Sequence, residues 1–262
     1  MNTTTEVSEL TENRKSVVSL LPRLSTLRRS LSRMRARVEL RWAFATNSTD
    51  DLMRRRLNSW ANGGWGESLE KHHSQMAQTI WERLDLRSND RILDLGCGQG
   101  WACRLLANRA PRECIVVGVD ISDEMIRQAR EKSASFENVV YYCGSADNIP
   151  SPDNYFTKII SIEAFYYFPQ QERVLQELLR VAEPGAELFL LICLFRENAD
   201  SQPWSSEVGL PLHVRAISEY ESMLRRSGWT EVTSRVFDLR SDPSAPPAEH
   251  DCPLLLMCRK PR

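Results

Sequence analysis

From residue 91 onward the chain alternates between two hydrophobic patterns. Residues 91–95, 114–119, 139–143, 158–162 and 187–194 are short continuous apolar runs and read as buried strands. Between them, residues 101–109, 122–132 and 170–181 place apolar side chains at steps of three and four, which predicts helices. Ser122 is the expected N-cap of the second helix, and Pro184-Gly185 the stop signal after the third. Strand–helix alternation of this kind predicts a parallel sheet with right-handed crossovers. The end departs from it: a helix near 218–227, a strand near 229–238, a Pro-rich turn at 242–247, then a strand over 253–259. Two late strands with no helix between them predict an antiparallel edge.

The N-terminal part reads differently. Residues 1–15 are polar and aperiodic, as a loose tail would be. Leu24, Leu27, Leu31, Met34 and Val38 share one helical face, with Arg28, Arg29, Arg33, Arg35, Arg37 and Arg41 around it. Such a segment suits a helix packed on the main domain, a helix on an anionic membrane surface, or an Arg-rich transit segment. The stretch 58–66, with three Gly, two Asn, Trp60 and Trp65, reads as a linker loop that buries its indoles, followed by a helix over 68–84. The expected division is therefore 1–67, holding the tail, the basic helix and the Gly/Trp loop, and 68–262, holding the main domain.

Composition narrows the classes. At 262 residues there is room for one large α/β domain and an appendage. The 42% hydrophobic content excludes wholesale disorder, and a net charge of −1 argues against coating nucleic acid. The balance hides an asymmetry, +6 over residues 1–60 and −7 over the rest. No apolar run approaches the ~18 residues of a membrane span, and Glu6, Glu9 and Glu12 interrupt any signal core. Seven scattered Cys and four His form no zinc pattern, so no metal is expected, and reduced thiols point to the cytoplasm.

The strongest chemical signal is Ile92-Leu-Asp-Leu-Gly-Cys-Gly-Gln-Gly100, an apolar strand running into a glycine-rich turn and then a helix. Glycines there permit a sharp bend and the approach of a ligand to bare main chain. A dinucleotide fingerprint would need glycine at position 101, where Trp101 stands, and no Gly-Lys-Ser/Thr follows for a phosphate loop. Asp120 ends the second strand, 20 residues after Gly100, where a carboxylate accepts hydrogen bonds from a ribose diol. Past the third strand, Asp147 is positioned for an adenine amino group, with Ile121, Ala146 and Ile149 available to sandwich the ring.

Together these residues resemble the class I S-adenosylmethionine-dependent methyltransferases, over about residues 68–262. The stretch from Asp94 to Gly100 matches that family's acidic Gly-rich motif, Asp120 its ribose-binding acid, and Ala146-Asp147 its adenine pair. Residues 161–169 and 178–187 look like its fourth strand and the approach to its fifth, with Ala186 where a second glycine is usual. The resemblance implies an α/β fold: a doubly wound, seven-stranded, mostly parallel sheet whose last strand is antiparallel. It implies S-adenosyl-L-methionine as cofactor, held by Asp94, Gly96, Cys97, Gly98, Gly100, Asp120, Ile121, Ala146, Asp147 and Glu163.

The acceptor is less legible. Phe165, Tyr166, Tyr167 and Phe168 are candidates for its pocket, or for core. No Asn-Pro-Pro-Tyr or Asp-Pro-Pro-Tyr tetrapeptide follows the fourth strand, which weighs against a nucleic-acid acceptor. His72 and His73, beside Trp65, lie where small-molecule members close over the donor; with Glu163 and Tyr166 they are the acid–base candidates. Cys97 and Cys193 read as small buried residues rather than nucleophiles. The expected activity is methyl transfer to oxygen, nitrogen or carbon of a small molecule. The alternatives are a non-catalytic donor-binding module, and a methyltransferase for a macromolecule docked by the basic helix. Residues 24–41 carry a possible weak membrane-surface contact, and the oligomeric state is open.

Overall fold

The computed structural model describes residues 48–64, 70, 73–240 and 251–262. The basic helix expected over 24–41, the residues Trp65 and His72, and the Pro-rich turn at 242–247 lie outside the described residues. The described residues fall within one compact unit.

Seven strands make one sheet: β1 (Arg91–Leu95), β2 (Ile115–Asp120), β3 (Val139–Cys143), β4 (Phe156–Ile162), β5 (Ala182–Ile192), β6 (Thr230–Val236) and β7 (Leu254–Arg259). Their order is β3-β2-β1-β4-β5-β7-β6. Neighbours among β1 to β5 are parallel, while β7 runs antiparallel to both β5 and β6. The expected sheet and its antiparallel late strands are thus present. Helices α3 (Trp101–Arg109), α4 (Asp123–Lys132) and α5 (Gln171–Val181) cross between the parallel strands, and α7 (Ile217–Arg226) precedes β6. In α5 the buried face is Val174, Leu175, Leu178 and Val181, the three-and-four spacing read from the sequence. Ser122 caps α4, its hydroxyl accepting from Met125 N at 3.1 Å.

Three local expectations are corrected. Residues 58–62 are not a linker: they complete helix α1 (Ser48–Asn62), which Gly63 and Gly64 follow as a turn. Trp60 and Ala61 are buried because they continue the face begun by Met53 and Leu57, so the glycines end a helix instead of starting a loop. The helix expected over 68–84 is interrupted: residues 73–76 are helical, residue 77 is a turn, and α2 (Gln78–Trp81) is a separate short piece. The helix before Pro184-Gly185 does end, at Val181, but the fifth strand begins at Ala182 rather than 187, so this pair is not a loop. It lies inside β5, where the register with β4 shifts between Phe156 and Lys158. Gly185, at φ +83°, donates its N–H to Lys260 O at 3.0 Å, so the irregular step stays hydrogen-bonded.

Strand order reverses between β1 and β4, and the loops leaving the carboxyl ends of β1 to β5 share one edge of the sheet. That crevice is where open α/β sheets hold ligands. α1 and the short helix α6 (Gln202–Glu207) complete its walls.

Candidate active site

A cavity of about 630 Å³ opens at this edge, lined by the ends of β1, β2 and β4, by the loops after β1 to β4, by α1 and by Trp204. The turn after β1 forms its floor, and its three glycines do different things. Gly96 N and Cys97 N both donate to Val119 O, at 2.8 and 3.1 Å, which pulls the turn against β2. A Cβ on Gly96 (φ +78°) would stand 2.4 Å from Ala164 Cβ, and one on Gly100 (φ +75°) 2.3 Å from Tyr141 Oη. Both are glycine because other protein atoms approach. Gly98 (φ +50°) faces nothing within 4 Å and lines the cavity. Gly100 does not line it, although the sequence reading grouped the two.

Asp120 ends β2 with its carboxylate pinned by main chain. Gly98 N donates to Oδ2 at 2.9 Å and Ser122 N to Oδ1 at 2.8 Å. Burial raises its pKa, while these N–H groups and that of Ile121 oppose the rise. Each oxygen keeps a lone pair directed away from these bonds. Asp147, after β3, accepts from Ser145 Oγ at 2.8 Å and pairs with Arg173 at 3.4 Å. It lines the cavity with Ile121, Ala146 and Cys97, whereas Ile149, expected beside them, is buried and does not.

Asp94 is placed elsewhere. It is 2% exposed, does not line the cavity, and accepts from Cys103 Sγ at 3.2 Å beneath the turn. Burial pushes its pKa up to about 7, helped slightly by the negative charge of Asp120. An acid next to a glycine turn looks in sequence like a ligand contact, but the pleat sends this side chain under the turn. Cys97 and Cys193 are buried, and burial raises the Cys97 thiol pKa well above its usual value, as befits an inert residue.

Of the acid–base candidates, His73, Glu163 and Tyr166 line the cavity. Glu163 sits at φ +52° with both carboxylate oxygens engaged: Cys193 N donates to Oε1, and Tyr166 Oη donates to Oε2 at 2.8 Å. It ties the ends of β4 and β5 together. Burial and the Glu163 charge drive the Tyr166 pKa well above the ordinary phenol value. His73 is 8% exposed. Tyr167 and Phe168 line the cavity, whereas Phe165 belongs to the core, as one of the two readings allowed.

Residues the sequence reading missed come from α1 and α6. Asp50, Met53, Leu57 and Trp60 project from α1 into the cavity, and Trp204 from α6. Burial raises the Asp50 pKa, opposed by a hydrogen bond with Ser145. The helix is strapped down by polar contacts. Ser122 Oγ donates to Asn58 Oδ1 at 2.6 Å, Asn58 Nδ2 to Asp123 Oδ1 at 2.8 Å, and Arg54 Nε to Ile121 O at 3.2 Å. The spacing of Met53, Leu57, Trp60 and Ala61 was the available signal. Five carboxylates, those of Asp50, Asp120, Asp147, Glu163 and Asp251, line the cavity, and no lysine or arginine among the described residues does. No cluster able to hold a metal ion occurs among the described residues. No helix among them is long and apolar enough to cross a membrane.

Comparison with known proteins gives concordant findings. Residues 93–190 match the family described as a methyltransferase domain. The chain is 27% identical over 178 residues to 27-O-demethylrifamycin SV methyltransferase of Amycolatopsis mediterranei, covering 64% of this chain and 65% of that one. The chain spans about half the length of the curated relatives it matches. Its fold is shared with a chain from the complex of a Haloferax volcanii methyltransferase activator and a methyltransferase. That match has TM-score 0.71 and 24% identity, over 79% of this chain and 98% of that one. A Haemonchus contortus phosphoethanolamine N-methyltransferase, solved with phosphomonomethylethanolamine and S-adenosylhomocysteine, has the fold at TM-score 0.58. There the identity is 15%, over 71% of this chain and 52% of that one.

Proposed function

We propose that the chain, whose residues 93–190 match the methyltransferase-domain family, is a class I S-adenosylmethionine-dependent methyltransferase that methylates oxygen, nitrogen or carbon of a small molecule. The observation that carries this reading is the pairing of Gly98 and Asp120. Bare main chain meets the cavity at the first, and a carboxylate fixed by two N–H groups meets it beside the first. The donor set fits the cofactor. It offers an acid for a ribose diol, a second acid beyond β3 for a purine amine, and a carboxylate-rich wall without lysine or arginine for a ligand of net positive charge.

When bound, S-adenosylmethionine supplies a methyl group on a cationic sulfur. The chain's own work is then alignment. Gly96, Cys97 and Gly98 shape the floor; Asp120 takes the sugar; Ile121, Ala146 and Asp147 take the base. Asp94 orders the turn from below through Cys103, as a positioning residue. Glu163 positions Tyr166 and the strand ends around the acceptor side. His73 is the acid–base group offered to the cavity, and α1, carried by the N-terminal part of the chain, closes over it. Holding two reactants in line contributes about 7–11 kcal/mol without any covalent step by the protein. The acceptor is a small molecule, as the name of the rifamycin relative indicates for that enzyme. The seven free thiols suit a cytoplasmic setting.

The test is label transfer. The full chain is incubated with methyl-labelled S-adenosylmethionine and a fractionated cell extract. Label leaving in a small-molecule fraction, with release of S-adenosylhomocysteine, is the expected result. Donor binding with no label transferred, or label retained in RNA or protein, contradicts the proposal.

A further inference from the structure

The cavity has two halves set by strand order. The end of β2 carries Asp120 and the loops after β1 and β3 carry Gly98 and Asp147; the chain after β4 and β5 leads to Tyr167 and Trp204. Over the second half Trp60 of α1 meets both rings. Its centroid lies 6.2 Å from that of Tyr167 at 76°, and 5.9 Å from that of Trp204 at 48°. Trp204 Nε1 donates to Tyr167 Oη at 2.9 Å, so the polar edges of these two rings bond to each other. Val208 and Leu210 are buried in the same cluster, with Leu57 packed against it. The result is a continuous aromatic wall on an aliphatic backing.

Charge decides what this wall receives. An anionic acceptor meets carboxylates and no lining cation. A cationic one meets the Arg56 guanidinium, which already stands 5.8 Å over Trp60, and finds the nearby Glu163 carboxylate occupied by Cys193 N and Tyr166 Oη. An uncharged flat ring loses least on leaving water and gains most from contact with this surface.

We infer that the methyl acceptor is an uncharged molecule presenting a flat apolar ring system, seated on Trp60, Tyr167 and Trp204. The inference rests on the proposed methyltransferase reading, because it takes the other half of the cavity as the donor's. It makes Trp60 and Trp204 the residues that set acceptor specificity.

Binding to the full-length protein tests this without turnover. Affinities for 2-naphthol, 6-hydroxy-2-naphthoate and phenyltrimethylammonium are measured by calorimetry, with and without S-adenosylhomocysteine. The expected order places 2-naphthol roughly tenfold tighter than the anion and the cation. Trp204→Leu is expected to weaken 2-naphthol about fivefold and leave S-adenosylhomocysteine affinity unchanged. Trp60→Leu is the second variant, and a thermal melt establishes that each is folded; if Trp60→Leu unfolds, Trp204→Leu decides. Equal or tighter binding of either ion overturns the inference, as does no 2-naphthol binding or binding insensitive to the wall. Failure of S-adenosylhomocysteine to bind while 2-naphthol still senses the wall refutes the donor reading instead.

Discussion

Gly96, Gly98 and Gly100 all adopt positive φ, yet only Gly98 has open space where a side chain would go. Substitutions at Gly98 and Gly96 should therefore separate. Gly98→Val is expected to leave a folded protein, at about 1–2 kcal/mol of backbone strain, whose side chain fills the floor and abolishes donor binding. Gly96→Ala, meeting Ala164 at 2.4 Å, is expected to lower the melting temperature. Circular dichroism melts and S-adenosylhomocysteine calorimetry on both variants check this, and normal cofactor uptake by Gly98→Val would contradict it. The turn itself was legible in the sequence, since three glycines in five residues after an apolar strand have few other uses. The division of labour among them was not, because Tyr141, 41 residues after Gly100, and Ala164, 68 residues after Gly96, arrive from β3 and from the loop after β4. Asp94 illustrates the same limit: its type and spacing match a ligand contact, and only the direction of its side chain reveals a partner in Cys103.

At the scale of elements, strands and crossover helices were readable to within a few residues because period and burial agree there. Helix α1 was not. Its inward-facing set, buried Met53, Trp60 and Ala61 with partly buried Leu57, is short, its polar face carries Arg54, Arg55 and Arg56, and the glycines beyond it resemble a linker. α6 is six residues long, too short for any periodicity to register. Both elements line the cavity, so the sequence reading located the floor and missed the walls. One serine joins wall to floor. Ser122 N donates to Asp120 and Ser122 Oγ to Asn58, linking the carboxylate proposed for ribose to α1. Loss of that link should loosen α1 and, with it, the donor. Asn58→Ala is expected to weaken S-adenosylhomocysteine binding roughly two- to tenfold, the scale of one hydrogen bond in a partly buried setting. Unchanged affinity would show that α1 closes independently of the site.

Across the molecule, the strand order β3-β2-β1-β4-β5-β7-β6 converts a linear sequence into a two-sided crevice. Residues at and after the ends of β1, β2 and β3 line one part of the cavity, residues after β4 and β5 another, and α1 contributes to both. The excess of carboxylates at this crevice, with no lining lysine or arginine among the described residues, matches a donor of net positive charge and disfavours an anionic acceptor. All of this depends on Asp120 meeting a ribose. The most direct measurement is titration calorimetry of S-adenosylhomocysteine into the full-length protein and its Asp120→Ala variant. Loss of roughly 1.5–3 kcal/mol of binding free energy in the variant, with folding intact, is the expected result. Equal affinity in the two proteins would contradict the account.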